Sequence, residues 1–201
     1  MEPSTADIAG LVIAMEPFDD LEQQHIEQTL RWLGGTTDIY RRIPPATPSP
    51  HLVSYVVVVD PDERGIYLGL HRKSGLRLPM GGHVDPFEQP LAAARREGRE
   101  ELGVDLSFDV VGDRPLFLTV TPTVGKTAGH VDVSLWFVAR GDRADQYGLD
   151  PDEFVDGCWW DLDPHGLPES DPHLGRFIRK LDTVLQPRSM RLPVTRAIRT
   201  C

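Results

Sequence analysis

Three glutamates, Glu97, Glu100 and Glu101, recur at helical spacing inside the segment GHVDPFEQPLAAARREGREELGV, residues 82–104. Carboxylates gathered on one helix face are ligands for a hard divalent cation. The helix that carries them is delimited by its own sequence. Pro90 suits a first helical position, where its missing N–H costs nothing, and Gly103 suits the left-handed position past the end, so the spacing predicts a helix over Pro90–Leu102. At roughly 100° per residue the three acids fall within about 100° of one another, while Leu91, Ala94, Gly98 and Leu102 form a separate packing stripe. Like charges so placed oppose the helix by about a few tenths of a kcal/mol per pair. Arg96, four residues before Glu100, offsets part of that, and a bound cation would offset the rest. Mg²⁺ takes one or two carboxylates together with water and phosphate oxygens, which makes a phosphate ester or anhydride the natural substrate of such a face. Just upstream, Pro79-Met80-Gly81-Gly82 reads as a sharp turn that lets a carbonyl such as that of Gly81 approach the metal with no Cβ in the way.

A bare RExxEE string is more often a solvated helix face. The complete spacing here is Gly82, five residues, Glu88, seven residues, Arg96-Glu97, two residues, Glu100-Glu101, one residue, Gly103 and the aliphatic Val104. In this the chain resembles the Nudix hydrolase family over roughly residues 50 to 165. One position departs, Gly98 standing where the family usually has an aliphatic residue. Glycine weakens the helix there by ~1 kcal/mol relative to alanine but permits close approach of a packed element. The resemblance implies an α/β/α sandwich with a mixed sheet. It also implies a Mg²⁺-dependent hydrolase, with Mn²⁺ as a substitute, cleaving a phosphoanhydride of a nucleoside diphosphate linked to another moiety. On that reading Gly81, Glu97, Glu100 and Glu101 hold the metal, Arg96 orients Glu97 and pairs with Glu88, and Glu88 is structural. Similar enzymes often carry an acid ahead of a late core strand that binds metal or activates water; Glu153, six residues before Trp159, stands there, with Asp152 and Asp156 as neighbours able to take the role.

Other candidates rest on the residues alone. His130 and Asp132 alternate with Val131 and Val133, so both point to one face of a strand, where they would read a base or ribose or form a surface pair. Arg72, Lys73 and Arg77 precede the glycine turn and are candidates for phosphate contacts. Trp159 and Trp160 read as one core and one surface residue. The substrate is narrowed little: residues 118–122, LTVTP, supply neither the tyrosine typical of dinucleoside polyphosphate hydrolases nor a proline at the ADP-ribose enzyme spacing. Signatures of the NADH and coenzyme A enzymes are not evident either. A nucleoside tri- or diphosphate, modified or not, leads; a nucleotide sugar or ADP-ribose follows; a non-catalytic nucleotide sensor is the reading from another class, disfavoured because all the acids are present.

The elements that must position these groups are legible in outline. With 201 residues, 40% hydrophobic and 26% charged, the chain can bury one sizeable core. A formal charge of −10 argues against a nucleic-acid surface. Residues 5–15 and 19–33 read as helices, the second opened by Asp19 or Asp20 and closed by Gly34-Gly35, and both are candidates for a homodimer surface. Ile43–Pro50, with four prolines, cannot be regular and marks the boundary between an extension, 1–50, and a catalytic domain, 51–186. His51–Asp60 and Ile66–His71 read as a hairpin, with further strands expected near 107–111, 115–122, 130–139 and 157–161. Leu174, Phe177, Ile178, Leu181 and Leu185 give a helix over about Pro172–Leu185, and 187–201, with four arginines, a tail. Cys158 and Cys201 form no disulfide framework, and no apolar run approaches the ~18 residues of a membrane span, so a soluble cytoplasmic protein is expected.

Overall fold

A run of four valines makes β1 (His51–Asp60) the spine of the molecule, because its side chains are buried on both faces and its backbone is paired along both edges. On one edge it runs parallel to β6 (Val131–Arg140), His51 lying opposite Asp132. The other edge is shared: β4 (Met80–His83) pairs antiparallel with its first half, Val53 opposite His83, and β2 (Gly65–His71) with its end. β3 (Arg77–Leu78) and β7 (Phe154–Asp161) join β2, and β5 (Phe117–Pro122) joins β6, completing a seven-stranded mixed sheet. This computed structural model describes residues 4–44, 47–123 and 129–185; the expected tail and Cys201 lie outside them.

Alternation along the central strands divides the core. Leu52, Val56 and Val58 of β1 and Val133, Leu135 and Phe137 of β6 pack on one side with α3 (Pro90–Leu102), whereas Val57, Val59, Trp136 and Val138 pack on the other with α4 (Leu174–Leu185). Leu174, Phe177, Ile178 and Leu181 of α4 are all fully buried, the stripe expected from their spacing. The result is an α/β/α sandwich.

The N-terminal helices are joined to this sandwich by buried charge. α1 (Thr5–Ile13) starts from a reciprocal Ser4–Asp7 capping box, and α2 (Asp20–Gly35) from Asp19, whose side chain accepts from the Glu22 amide at 2.9 Å. Glu22, with no exposed surface, accepts from Lys180 Nζ of α4 at 2.8 Å, from the Leu118 amide of β5 at 3.2 Å and from the Phe18 amide at 2.7 Å. Arg176 pairs with Asp19, holding that carboxyl down at about 2.

Three elements differ from the sequence expectation. Residues 107–111 form no strand; Ser107 makes a single bridge to Arg140, while Phe108 is buried beneath the Arg95 guanidinium and Val110 and Val111 pack against the other core, so that stretch is held by side chains and not by a ladder. The glycine turn at 80–82 is itself a strand, β4, because its backbone finds β1. Helix α2 continues through Gly34-Gly35 to cap at Thr36.

Candidate active site

Helix α3 has the expected limits, with Pro90 in its first turn and Gly103 closing it at φ 73°, ψ 15°. Ala93, Ala94, Gly98 and Leu102 are buried, and Leu106 packs so closely over Gly98 that a Cβ there would collide with it, the physical reason for the missing aliphatic side chain. The opposite face carries the acids into a cleft of about 520 Å³ between α3, β4, β6 and the loop before β7.

Their environments differ. Glu101 is 6% exposed, and its Oε2 accepts from the Gly81 N–H at 2.7 Å. Burial pushes its carboxyl up to about 9 against that hydrogen bond, with the negative charges of Glu97, Glu153 and Asp150 adding to the rise. Glu97 is raised too, again mainly by burial, opposed by Arg96. Glu100 lies nearer solvent. The backbone meets them closely: Gly81 sits at φ 144°, and a Cβ on Gly82 would occupy the space of the Glu97 carboxylate. Carboxylate oxygens so gathered along one cleft are the donors that a hard divalent cation prefers.

Arg96 organises the group. Its Nε and Nη2 grip Glu88 at 3.0 and 2.9 Å, Nη2 also donates to the His83 carbonyl at 3.0 Å, and Nη1 reaches Glu97 at 2.7 Å and Glu100 at 3.0 Å. Glu88 in turn accepts from the Asp85 amide at 3.2 Å, which fastens the loop to the helix. Glu88→Gln should therefore cost about 1.5–3 kcal/mol of stability, the worth of a charge-assisted bond, and less activity than a change at Glu101. Thermal melts and turnover on the same preparations check this, and the reverse order would sink the division of roles.

Across the cleft stands Glu153. Lys73 Nζ holds its two oxygens at 2.7 and 2.9 Å, and His71 Nε2 lies 3.3 Å away. Asp150, not singled out by spacing, also lines the cleft, with its amide on the Glu101 carbonyl at 3.1 Å. Asp156 is turned aside to Arg77, and Asp152 is exposed. Arg72 and Arg77, expected at phosphates, instead bind the loop that carries Glu153: Arg72 Nε donates to the Pro151 carbonyl at 2.6 Å. The basic side chains that line the cleft among the described residues are Arg41, Lys73 and Arg96. Trp159 and Trp160 are half-buried on opposite faces of the sheet and do not line it.

His130 and Asp132 do share a face, and both line the cleft wall beyond the acids. The structure adds two neighbours that no spacing revealed, His51 and His83. They arrive through strand register, His51 opposite Asp132 and His83 two positions along β1's other edge. Asp171, at the start of α4, faces the same wall, pushed up to about 6 by burial first and then by Asp132.

The NUDIX domain model matches residues 49–181 of this sequence. The chain belongs to the Nudix family. No curated protein matches it. Among solved structures, a Nudix hydrolase from Clostridium perfringens is 20% identical and aligns 68% of this chain with 99% of its own at a TM-score of 0.52. A C. elegans Ap4A hydrolase is 19% identical over 67% of this chain and 96% of its own, TM-score 0.51. A UDP-X diphosphatase, 16% identical, covers 90% of this chain and 95% of its own with a TM-score of 0.52, an overlap that takes in the N-terminal helices as well as the Nudix segment. These likenesses share the Nudix fold. Nudix hydrolases use divalent metal ions, and carboxylate oxygens are donors that hard divalent ions prefer.

Proposed function

We propose that this Nudix pyrophosphohydrolase is Mg²⁺-dependent and cleaves a phosphoanhydride of a nucleoside tri- or diphosphate. The observation that carries the reading is the convergence of Glu97, Glu100 and Glu101 from α3 with Glu153 from the opposite wall on one cleft. Glu97, Glu100, Glu101 and the Gly81 carbonyl are the proposed ligands. The bound ion supplies positive charge to the nonbridging phosphoryl oxygens, where negative charge accumulates during transfer. Arg96 fixes Glu97 and Glu100 by pairing with both, so the ligands are placed before substrate arrives. Lys73 and Arg41 both line the cleft and receive the remaining phosphate charge. Glu153, gripped by Lys73 and flanked by His71, is positioned to take the proton of the attacking water as the P–O bond to the leaving group breaks.

A second substrate reading, a nucleoside diphosphate joined to a sugar or other group, is favoured by one observation: the UDP-X diphosphatase resembles this chain through the N-terminal helices too. A screen of phosphate and pyrophosphate release over nucleoside triphosphates, diphosphates and nucleotide sugars, with and without chelator, tests both. Mg²⁺-dependent turnover of the first class supports the leading reading, turnover of nucleotide sugars alone replaces it, and metal-independent or absent hydrolysis throughout refutes catalysis of this kind.

Among the described residues no helix is long and apolar enough to cross a membrane.

A further inference from the structure

His51, His83, His130 and Asp132 present four ligand atoms that all lie within 4.8 Å of one another at the wall of the cleft. His51 Nε2 is 3.0 Å from His83 Nε2 and 3.0 Å from Asp132 Oδ1, and His130 Nε2 is 3.4 Å from the same oxygen. Metal–nitrogen bonds of about 2.0–2.1 Å in a tetrahedral site set ligand atoms roughly 3.3–3.4 Å apart, so the three close pairs stand at or just inside that spacing, and the remaining pairs, within 4.8 Å, need only draw in to reach it.

Hydrogen bonds behind the rings fix what faces inward. His51 Nδ1 lies 2.6 Å from the Pro48 carbonyl, which can only accept, so Nδ1 carries a proton, and the tautomer this selects has its lone pair on Nε2, toward Asp132. Thr123 Oγ1 donates to the His130 carbonyl and lies 3.2 Å from His130 Nδ1, which holds that ring in place from behind. Asp132 Oδ1, a buried atom, has no hydrogen-bond partner among the described residues despite the two imidazole nitrogens beside it. In that tautomer the His51 lone pair faces a buried carboxylate oxygen at 3.0 Å. A cation at their centre resolves the repulsion and satisfies the orphaned oxygen, and outer hydrogen bonds on ligand imidazoles are the usual means of orienting such a site.

We propose that these four residues bind one divalent transition metal of the imidazole-preferring class, such as Zn²⁺, at a site separate from the carboxylates of α3. Three nitrogens and one oxygen suit such ions and not Mg²⁺, which requires oxygen ligands and retains water. The two sites therefore sort metals by ligand chemistry within one cleft. Because the ligands come from the start of β1, the end of β4 and the start of β6, the ion pins three adjacent strands at the cleft wall. This places His130 and Asp132 in a metal shell, in contrast to the base- or ribose-reading role expected from their alternation.

Spectroscopy on the full chain tests the site without reference to hydrolysis. Chelator-stripped protein titrated with Co²⁺ in millimolar Mg²⁺ should take up one equivalent and develop the visible absorption of a four-coordinate ion, displaced by Zn²⁺. His83→Asn and Asp132→Asn should each weaken Co²⁺ binding by at least about 100-fold, since loss of even an outer-shell partner costs about 10–100-fold. Glu97→Gln should leave the absorption in place. Absence of the band in the wild-type protein, which needs no variant to fold, would mean that a proton on His51 alone balances the cluster and would overturn the proposal. A band removed by Glu97→Gln but kept in the isosteric Asp132→Asn would place the ion on α3 and overturn it equally.

Discussion

Glu101→Gln is expected to reduce turnover by at least about 100-fold at saturating Mg²⁺ while leaving the fold intact. The substitution preserves volume and keeps an oxygen to accept the Gly81 amide, so what it removes is the charge proposed to bind metal. Outer-shell partners of a metal cost about 10–100-fold when lost, and a ligand should cost no less than the upper end. Near-normal turnover would refute the assignment. The same residue predicts a pH dependence. Its carboxyl stands at about 9 in the folded, metal-free protein and near 4.5 in the open chain. The folded state therefore holds a proton that the unfolded state has released across that window. Stability in chelator is full below about 4.5 and falls as pH rises toward 9. Glu101→Gln should flatten this slope and melt above the wild-type protein at the alkaline end, being both more stable and inactive. Metal entry must displace the same proton, so the Mg²⁺ concentration needed for half-maximal activity should fall as pH increases. An unchanged melting slope in Glu101→Gln would show that Glu97, Glu22 or Asp171, all likewise raised, dominates it instead.

Helix α3 could be read from sequence almost residue by residue because its ends are written locally, in Pro90 and Gly103, and because its acids and its packing stripe separate at helical period. β1 was legible for a similar reason, its valine run having one structural use. β4 was not, since Gly81-Gly82 carries no strand propensity and becomes a strand only when β1 supplies the partner backbone. The same dependence on distant pairing hid His51 and His83: nothing near either residue marks it, and only the register of β1 against β4 and β6 brings them to Asp132. Arg72 and Arg77 show the converse. Their charge and place before the glycine turn pointed to phosphate, yet the Pro151 carbonyl and, at the start of β7, the Asp156 carboxylate are closer at hand, and they bind there. Docking of the N-terminal helices through Glu22 and Lys180 was equally invisible, because a lone glutamate in an amphipathic helix reads as a solvated charge until a lysine 158 residues away is placed against it.

Glu153→Gln is expected to lower kcat by ~10²–10⁴-fold, the usual contribution of a positioned general base, and to change KM little. A group that takes a proton from water acts in the transition state and adds little to ground-state affinity, so the loss belongs in kcat. The structure sharpens the controls. Asp156 is committed to Arg77 and Asp152 is exposed, so Asp156→Asn and Asp152→Asn should retain most activity. Asp150 lines the cleft beside Glu101 and is the stronger rival. If Glu153→Gln stays above about half of wild-type turnover while Asp150→Asn falls by the general-base factor, the loop supplies the base from a different residue. If Glu153→Gln instead raises KM with kcat preserved, its role is to hold Lys73 toward substrate phosphate, because loss of the carboxylate would free that lysine from the two contacts that fix it. If none of the loop variants loses turnover, the proton must go to α3. Glu97 is then the acid to test, being mostly buried, raised by that burial and kept in place by Arg96.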